Sequence, residues 1–264
     1  MTTWQDQRQR LSNYLRPWPI ILMGISLLIK ARPTWLGGTP RPEDISAKDY
    51  VTGQIFKKLG NAFKAFEATT LVPSLVASAS GVVIEVGPGA GTQLDRFDKS
   101  KIDHIYGVEL NPAFASPLSA EVEKAGLKGK YTVIVGAVED ERLLAGYGLK
   151  AESVDSIVCI GTLCSVSDPE HTMRWIYKLL KPGGVLIFWE HRRSHDLLTR
   201  LVQGFWNPVW RYVMGGCNLD RKTGDFIRSA GLWEPQDSDI EGQKGPTSEW
   251  SIMPRVEGKL IKKA

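Results

Sequence analysis

The stretch Val82-Val-Ile-Glu-Val-Gly-Pro-Gly-Ala-Gly91 constrains the fold of this chain more than any other. Val82, Val83, Ile84 and Val86 make a short β-branched apolar run, the composition of a parallel strand buried on both faces. Gly87, Gly89 and Gly91 follow at once. Spaced glycines let the backbone turn sharply after a strand and let a ligand approach the main chain closely. Glu85 stands near the carboxyl end of the strand, the edge where open α/β sheets bind ligands. The pattern predicts a nucleotide-like cofactor. It is not a dinucleotide fingerprint, because G-x-G-x-x-G/A meets Thr92 at its sixth position, and no G-x-x-x-x-G-K-S/T string follows.

A second apolar run, His104-Ile-Tyr-Gly-Val-Glu109, also ends in an acid, eighteen residues after Gly91. In doubly wound folds an acid at about this separation accepts hydrogen bonds from ribose hydroxyls at the tip of the second strand. A carboxylate suits the task, having two acceptor oxygens for two donors. The competing reading of Glu109 is a solvated acid at a strand end. Further strands are expected over Tyr131–Val135, Ser153–Ile160 and Leu179–Glu190, with two more over Leu232–Asp239 and Arg255–Ile261. Helices are expected over Asp49–Ala68, where Phe56, Leu59, Phe63 and Phe66 recur at helical spacing, and over Pro169–Leu180. Thr223 reads as the N-cap of a short helix Gly224–Ala230 that Gly231 ends. Alternating strands and helices imply a parallel sheet with helices on both faces.

The string E-x-G-x-G-x-G at Glu85–Gly91 resembles the first motif of the class I S-adenosylmethionine (SAM) methyltransferases. Leu110-Asn111-Pro112 resembles the turn after that family's ribose acid, and Lys181-Pro-Gly-Gly184 its turn into the fifth strand. The resemblance covers roughly residues 80–190. It implies a doubly wound, mostly parallel, Rossmann-like α/β sheet of seven strands with the last antiparallel, and SAM as cofactor. On that basis Glu85, Gly87, Pro88, Gly89 and Gly91 lie along the methionine part, and Glu109 and Leu110 at the ribose. Ala137, Val138 and Glu139 lie beside the adenine, although the acid often found slightly earlier there is absent. Gly161 and Thr162 lie where the methyl group sits.

A narrower resemblance rests on Leu163-Cys-Ser-Val166, Pro182-Gly-Gly, Glu190-His191, Asn207-Pro-Val-Trp210, Gly216-Cys-Asn-Leu219 and Trp250. This series, with gaps over about residues 50–260, is similar to the methyltransferase-like 7 group of small membrane-associated enzymes that includes thiol S-methyltransferases. Pro88 stands where mammalian members usually have Cys, and Glu109 where they usually have Asp. Residues 234–248 have no clear counterpart. The resemblance implies a small thiol acceptor and an N-terminal hydrophobic anchor.

At 264 residues the chain has room for one α/β domain and an N-terminal extension. Its formal net charge of +4, with no run of five like charges, is no argument for nucleic acid. Lys259, Lys262 and Lys263 read as a solvated edge. Three cysteines, Cys159, Cys164 and Cys217, argue for a reducing compartment and against a disulfide framework. Their spacing with the histidines suggests no zinc site, so no metal is expected. Localisation is expected to be intracellular, in the cytoplasm or on the cytoplasmic face of a membrane such as the endoplasmic reticulum. Residues 17–29 carry no charge, and basic residues and the aromatic pair Trp18 and Trp35 flank them. The run is short for a span. It reads either as an anchor lying on a membrane surface or as a helix packed on the domain as a lid or dimer contact. Residues 33–45, rich in Pro and Gly, read as a linker. The chain is therefore divided into an apolar segment and linker at 1–45 and a methyltransferase domain at 46–264. The oligomeric state stays open.

Methyl transfer from a sulfonium needs alignment, exclusion of water and, for some nucleophiles, a base. His191, directly after the fifth strand, is the leading candidate base, with a strand-end histidine satisfied by Glu190 or backbone as the alternative. His195 is a second candidate. Cys164 is a candidate for the acceptor wall. Trp206, Trp210 and Tyr212 read either as a roof over an apolar acceptor or as packing against the N-terminal segment. The main expectation is a methyltransferase acting on a small apolar acceptor through sulfur, oxygen or nitrogen. A SAM-binding cyclase without methyl transfer and a non-catalytic SAM-binding protein are the alternatives.

Overall fold

The computed structural model describes residues 4–31, 45–234 and 250–264. The linker reading at 33–45 and Trp35 fall almost wholly outside these residues, as does most of 234–248. Seven strands form one sheet: β1 (Gly81–Val86), β2 (Ile102–Glu109), β3 (Tyr131–Val135), β4 (Val154–Ile160), β5 (Leu180–His191), β6 (Trp233–Glu234) and β7 (Arg255–Lys262). Their order is β3-β2-β1-β4-β5-β7-β6. The first five are parallel, and β7 runs antiparallel to both β5 and β6. The strand order reverses between β1 and β4, which puts the ligand crevice at their carboxyl ends.

Alternation along the central strands builds two cores. Ile84 and Ile157 face one side, with Met173, Trp175, Ile176 and Leu179 of α7 (Pro169–Leu179) and Ile227 of α9 (Thr223–Ser229). Val83 and Val158 face the other, with Val72, Leu75 and Val76 of α4 (Val72–Val76) and Leu118 and Val122 of α5 (Ala115–Lys124). The apolar residues on both faces of these strands are thereby buried, as their composition requires. The Lys181-Pro-Gly-Gly turn is a bulge at the start of β5: Leu180 pairs with Val154, and pairing resumes only at Val185 with Ser156.

A third core lies beyond the strand tips. It joins Ile21 and Leu27 of α2 (Pro17–Lys30), Val51 and Ile55 of α3 (Ala47–Glu67), and Trp210 and Val213 of α8 (Leu197–Val213) to Cys164, Cys217, Leu219 and Ile252. The apolar segment 17–29 is thus a helix packed on the domain. Pro17 opens α2 without losing an internal bond. Gly24 sets its contact, since a Cβ there would lie 2.6 Å from Val213. The helix α1 (Trp4–Leu15) is fastened to α8 as well. Arg10 pairs with Asp196, which caps α8, Tyr14 Oη meets Thr199 Oγ1 at 3.0 Å, and Trp206 Nε1 donates to the Tyr14 carbonyl at 2.9 Å. No helix among the described residues is long and apolar enough to cross a membrane.

Two local expectations are corrected. Thr223 does not cap α9; it is the first helical residue and its hydroxyl donates to the His191 carbonyl at 2.6 Å. Lys262 is buried, donating to the Leu180 carbonyl at 2.7 Å and pairing with Glu152, so it is no solvated edge. In α3 the buried positions are Val51, Thr52 and Ile55, while Phe66 is exposed and leans on the Trp189 ring.

Candidate active site at the strand tips

The glycine loop turns as its composition predicts: Gly87, Gly89 and Gly91 have φ of 63°, 56° and 83°. The Gly89 N–H donates to Glu109 Oε2 and the Asn111 N–H to Glu109 Oε1, both at 2.8 Å. Glu109 therefore ties the loop after β1 to the turn after β2. It keeps a second lone pair on each oxygen for hydroxyl donors. Burial pushes its carboxyl above the usual range, and the two backbone donors oppose that shift. Leu110 beside it is 68% exposed.

Glu85 is buried, and the Tyr131 hydroxyl donates to its Oε2 at 2.7 Å. Burial raises the Glu85 carboxyl to about 7, with the Glu109 charge adding to the rise. Tyr131 lies on β3, two strands away, and reaches Glu85 only because Gly107 intervenes on β2. A Cβ on Gly107 would sit 2.0 Å from the hydroxyl oxygen. A glycine inside a strand often marks such an approach. This was the available signal for Tyr131, which the sequence reading missed.

Helix α3 straps this half down. Asn111 Nδ2 donates to the Asp49 carbonyl at 3.0 Å near one end of the helix. At the other end, Glu67 pairs with Arg96 at 2.6 Å and accepts from Gln93 Nε2 at 2.9 Å. The residues present fit a SAM-sized cofactor. A Cβ on Gly89 or Gly161 would meet nothing within 4 Å, and the buried Glu85 Oε1 has no protein partner.

The loop after β4 is organised by Glu190, the penultimate residue of β5. Its Oε1 accepts from Thr162 N at 2.8 Å and Leu163 N at 2.9 Å, and its Oε2 from Cys164 N at 3.3 Å. Burial drives this carboxyl well above the usual range, and the Cys164 thiol beside it adds to the effect; the three N–H donors act against it. Arg221 takes the carbonyls of the same loop, Leu163 at 2.8 Å and Val166 at 2.6 Å. Loop 161–166 is therefore held by its donors and its acceptors at once. Its inner edge touches the glycine loop: Thr162 Oγ1 donates to the Val86 carbonyl at 2.9 Å, and a Cβ on Gly87 would lie 2.5 Å from Thr162 Cγ2.

His191 is buried at the tip of β5, opposite Arg255 on β7. Its Nδ1 lies 3.3 Å from Cys217 Sγ. Burial and the Arg255 charge lower its pKa, so the ring is neutral near pH 7. Cys164 and Cys217 are free and buried on either side. His195 is exposed and lines a separate surface cleft of about 440 Å³ with Arg193, Arg200 and Arg228.

The structure brings Glu85, Gly87, Gly89, Gly91, Glu109 and Thr162 together and sets Cys164 beside His191. Val138 instead points into the core, and Glu139 accepts from Thr172 of α7. Trp210 is buried in the third core, the Trp206 ring lies tilted against Trp18 with centroids 5.7 Å apart, and Tyr212 is 51% exposed. The two tryptophans pack against the N-terminal helices. Sequence patterning assigned no element to α8.

A methyltransferase-domain family model matches residues 60–224. The thiol S-methyltransferase TMT1B of Rattus norvegicus is 28% identical over 222 residues, covering 80% of this chain and 83% of its own. Among solved structures, an O-methyltransferase family protein from Burkholderia thailandensis superposes with a TM-score of 0.58 at 13% identity, over 98% of this chain and 70% of its own. The [4+2]-cyclase SpnF superposes with a TM-score of 0.53 at 15% identity, over 98% and 96%.

Proposed function

This chain belongs to the family of methyltransferase domains and is a SAM-dependent methyltransferase, and from that premise we propose that its acceptor is a small, mostly apolar thiol. The observation that carries the thiol class is the extent of the likeness to TMT1B, which runs through most of both chains. SAM when bound supplies a methyl group on a sulfonium. Glu109 holds the ribose hydroxyls while fixing Gly89, the glycine loop supplies close backbone contact, and α3 covers the site from solvent. Loop 161–166 faces the methyl position, with Cys164 and His191 forming the wall behind it. Transfer needs sulfur and methyl held about 3–3.5 Å apart in line. A thiol of pKa about 8.5 is partly thiolate near neutrality and needs little help from a base.

The test incubates the full chain with methyl-deuterated SAM and a panel of apolar thiols, phenols, carboxylic acids and amines, read by mass spectrometry. Labelled thioether is expected at least about tenfold faster than any other product, roughly the 1.4 kcal/mol that separates tenfold rates. Label found only on oxygen or nitrogen overturns the thiol reading. A cyclised product without label would favour the alternative that the SpnF-like fold permits.

We also infer that the outer face of α2 and α8 docks on an anionic membrane surface. Trp18, Leu22, Ile25 and Ile29 on α2, and Leu201, Phe205, Val209 and Tyr212 on α8, are all at least 40% exposed. Arg8, Arg16 and Arg211 are exposed around them, which matches anionic lipid. Cosedimentation with phosphatidylserine-containing vesicles is expected to fall at least tenfold for the double variant L201S/F205S, each buried side chain contributing about 1.5–3 kcal/mol. Equal sedimentation of variant and wild type would sink this reading.

A further inference from the structure

Three soft or borderline donors meet where no sequence spacing announced them. Cys164 comes from the loop after β4, His191 from the tip of β5 and Cys217 from the turn after α8. Their sulfur and imidazole nitrogen atoms all lie within 4.8 Å of one another. Zinc bound tetrahedrally at about 2.3 Å to sulfur and about 2.0–2.1 Å to nitrogen holds its donors roughly 3.4–3.8 Å apart. The 3.3 Å between His191 Nδ1 and Cys217 Sγ is close to that spacing.

The three donors are held from behind. Cys164 has its N–H on Glu190 and its carbonyl on Asn218 N at 2.9 Å. The His191 carbonyl accepts from Thr223. Gly215 and Gly216, at φ of 63° and 102°, turn the chain to deliver Cys217, and a Cβ on Gly216 would lie 3.0 Å from the Ser165 carbonyl. His191 Nδ1 faces Cys217 Sγ while Nε2 has no protein partner, so Nδ1 is the nitrogen placed to ligate an ion. The neighbouring carboxylate, Glu190, already spends its oxygens on three N–H groups. The donor set is therefore sulfur and imidazole, which selects zinc-class ions over calcium or magnesium.

We propose that Cys164, His191 and Cys217 form a site for a zinc-class divalent cation, with the fourth position left for the acceptor's sulfur. Two thiolates and one divalent ion make a neutral set, which removes most of the burial cost that each charge would carry alone. The occupant of the fourth position rests on the thiol reading of the acceptor. An acceptor thiol taking that position would lose its proton to solvent as its sulfur became the fourth donor. The sulfur's electron pair then forms the new bond to the methyl carbon. The methyl–sulfonium bond breaks with its pair going to the departing sulfur, which becomes a neutral thioether.

The test titrates the reduced full chain with cobalt(II), without SAM or acceptor, and follows the near-ultraviolet thiolate-to-cobalt band. The expected result is saturation at one equivalent, bleaching by one equivalent of zinc, and at least 100-fold weaker cobalt binding in C164S and C217S. The C159A variant is expected to keep the band, because Cys159 lies within β4 outside the cluster. Calorimetry of SAM binding identifies any variant that has lost its fold. No saturable band in the wild type overturns the site, as does an undiminished band in both serine variants. A Cys164–Cys217 disulfide with no metal uptake after reduction overturns it too. Failure of the thiol reading leaves the cobalt band intact, whereas failure of the site leaves labelled thioether forming in metal-free protein, so the two are told apart.

Discussion

Alanine at Glu190 is expected to lower stability by about 3–5 kcal/mol, because three buried backbone donors lose their acceptor together. The carboxylate accepts from Thr162, Leu163 and Cys164 in a place where water does not reach. Truncation leaves three backbone donors without acceptors, each costing about 1–3 kcal/mol before the loop relaxes. A domain with a total of about 5–15 kcal/mol loses a large part of its margin. Urea denaturation of the Glu190→Ala and Glu190→Gln variants measures this. Glutamine keeps one acceptor oxygen, so its loss should be smaller than that of alanine. Stability of the alanine variant within about 0.5 kcal/mol of wild type would mean the loop is not held by this side chain.

The second large effect concerns the cofactor. Replacing Glu109 by alanine is expected to weaken SAM binding about 100-fold or more. Two hydrogen bonds to a charged acceptor, each worth about 1.5–3 kcal/mol, are lost to the ribose, and every 1.4 kcal/mol is tenfold in Kd. The same change releases Gly89 N and Asn111 N, so the glycine loop loses its attachment to β2. Isothermal titration calorimetry gives the Kd directly. A change under threefold would reject the assignment of Glu109 to the ribose.

The strands, the glycine loop and Glu109 were legible in the sequence because each is a local pattern: a β-branched run, a turn, an acid at the strand tip. Tyr131 was not, since a hydroxyl that crosses Gly107 to meet Glu85 depends on which strands are neighbours. Nor was the cluster of Cys164, His191 and Cys217, whose members come from three separate tips. Helix α8 escaped for a different reason: its buried face mixes amides and a hydroxyl with Trp210 and Val213. Thr199, Gln203 and Asn207 are buried, while Leu201, Phe205 and Val209 face outward. The buried amides are satisfied: Gln203 by Ser194 N and the Ile252 carbonyl, and Asn207 by Leu219 N and the side chains of Asn218 and Asp220. A reading that places every apolar residue inside therefore misassigns the first turns of this helix. Lys262 and Thr223 failed similarly, because their partners, the carbonyls of Leu180 and His191, are distant in sequence.

Loop 161–166 serves as a party wall. Through Thr162 it abuts the glycine loop on the cofactor side, and through Cys164 it abuts His191 and Cys217 on the other. Either ligand that settles against it meets the same short piece of backbone. Glu190 and Arg221 already hold that piece from both sides, so neither ligand would have to order it on arrival. A substitution that loosens it would be felt on both faces of the partition at once, without any movement of the sheet beneath it.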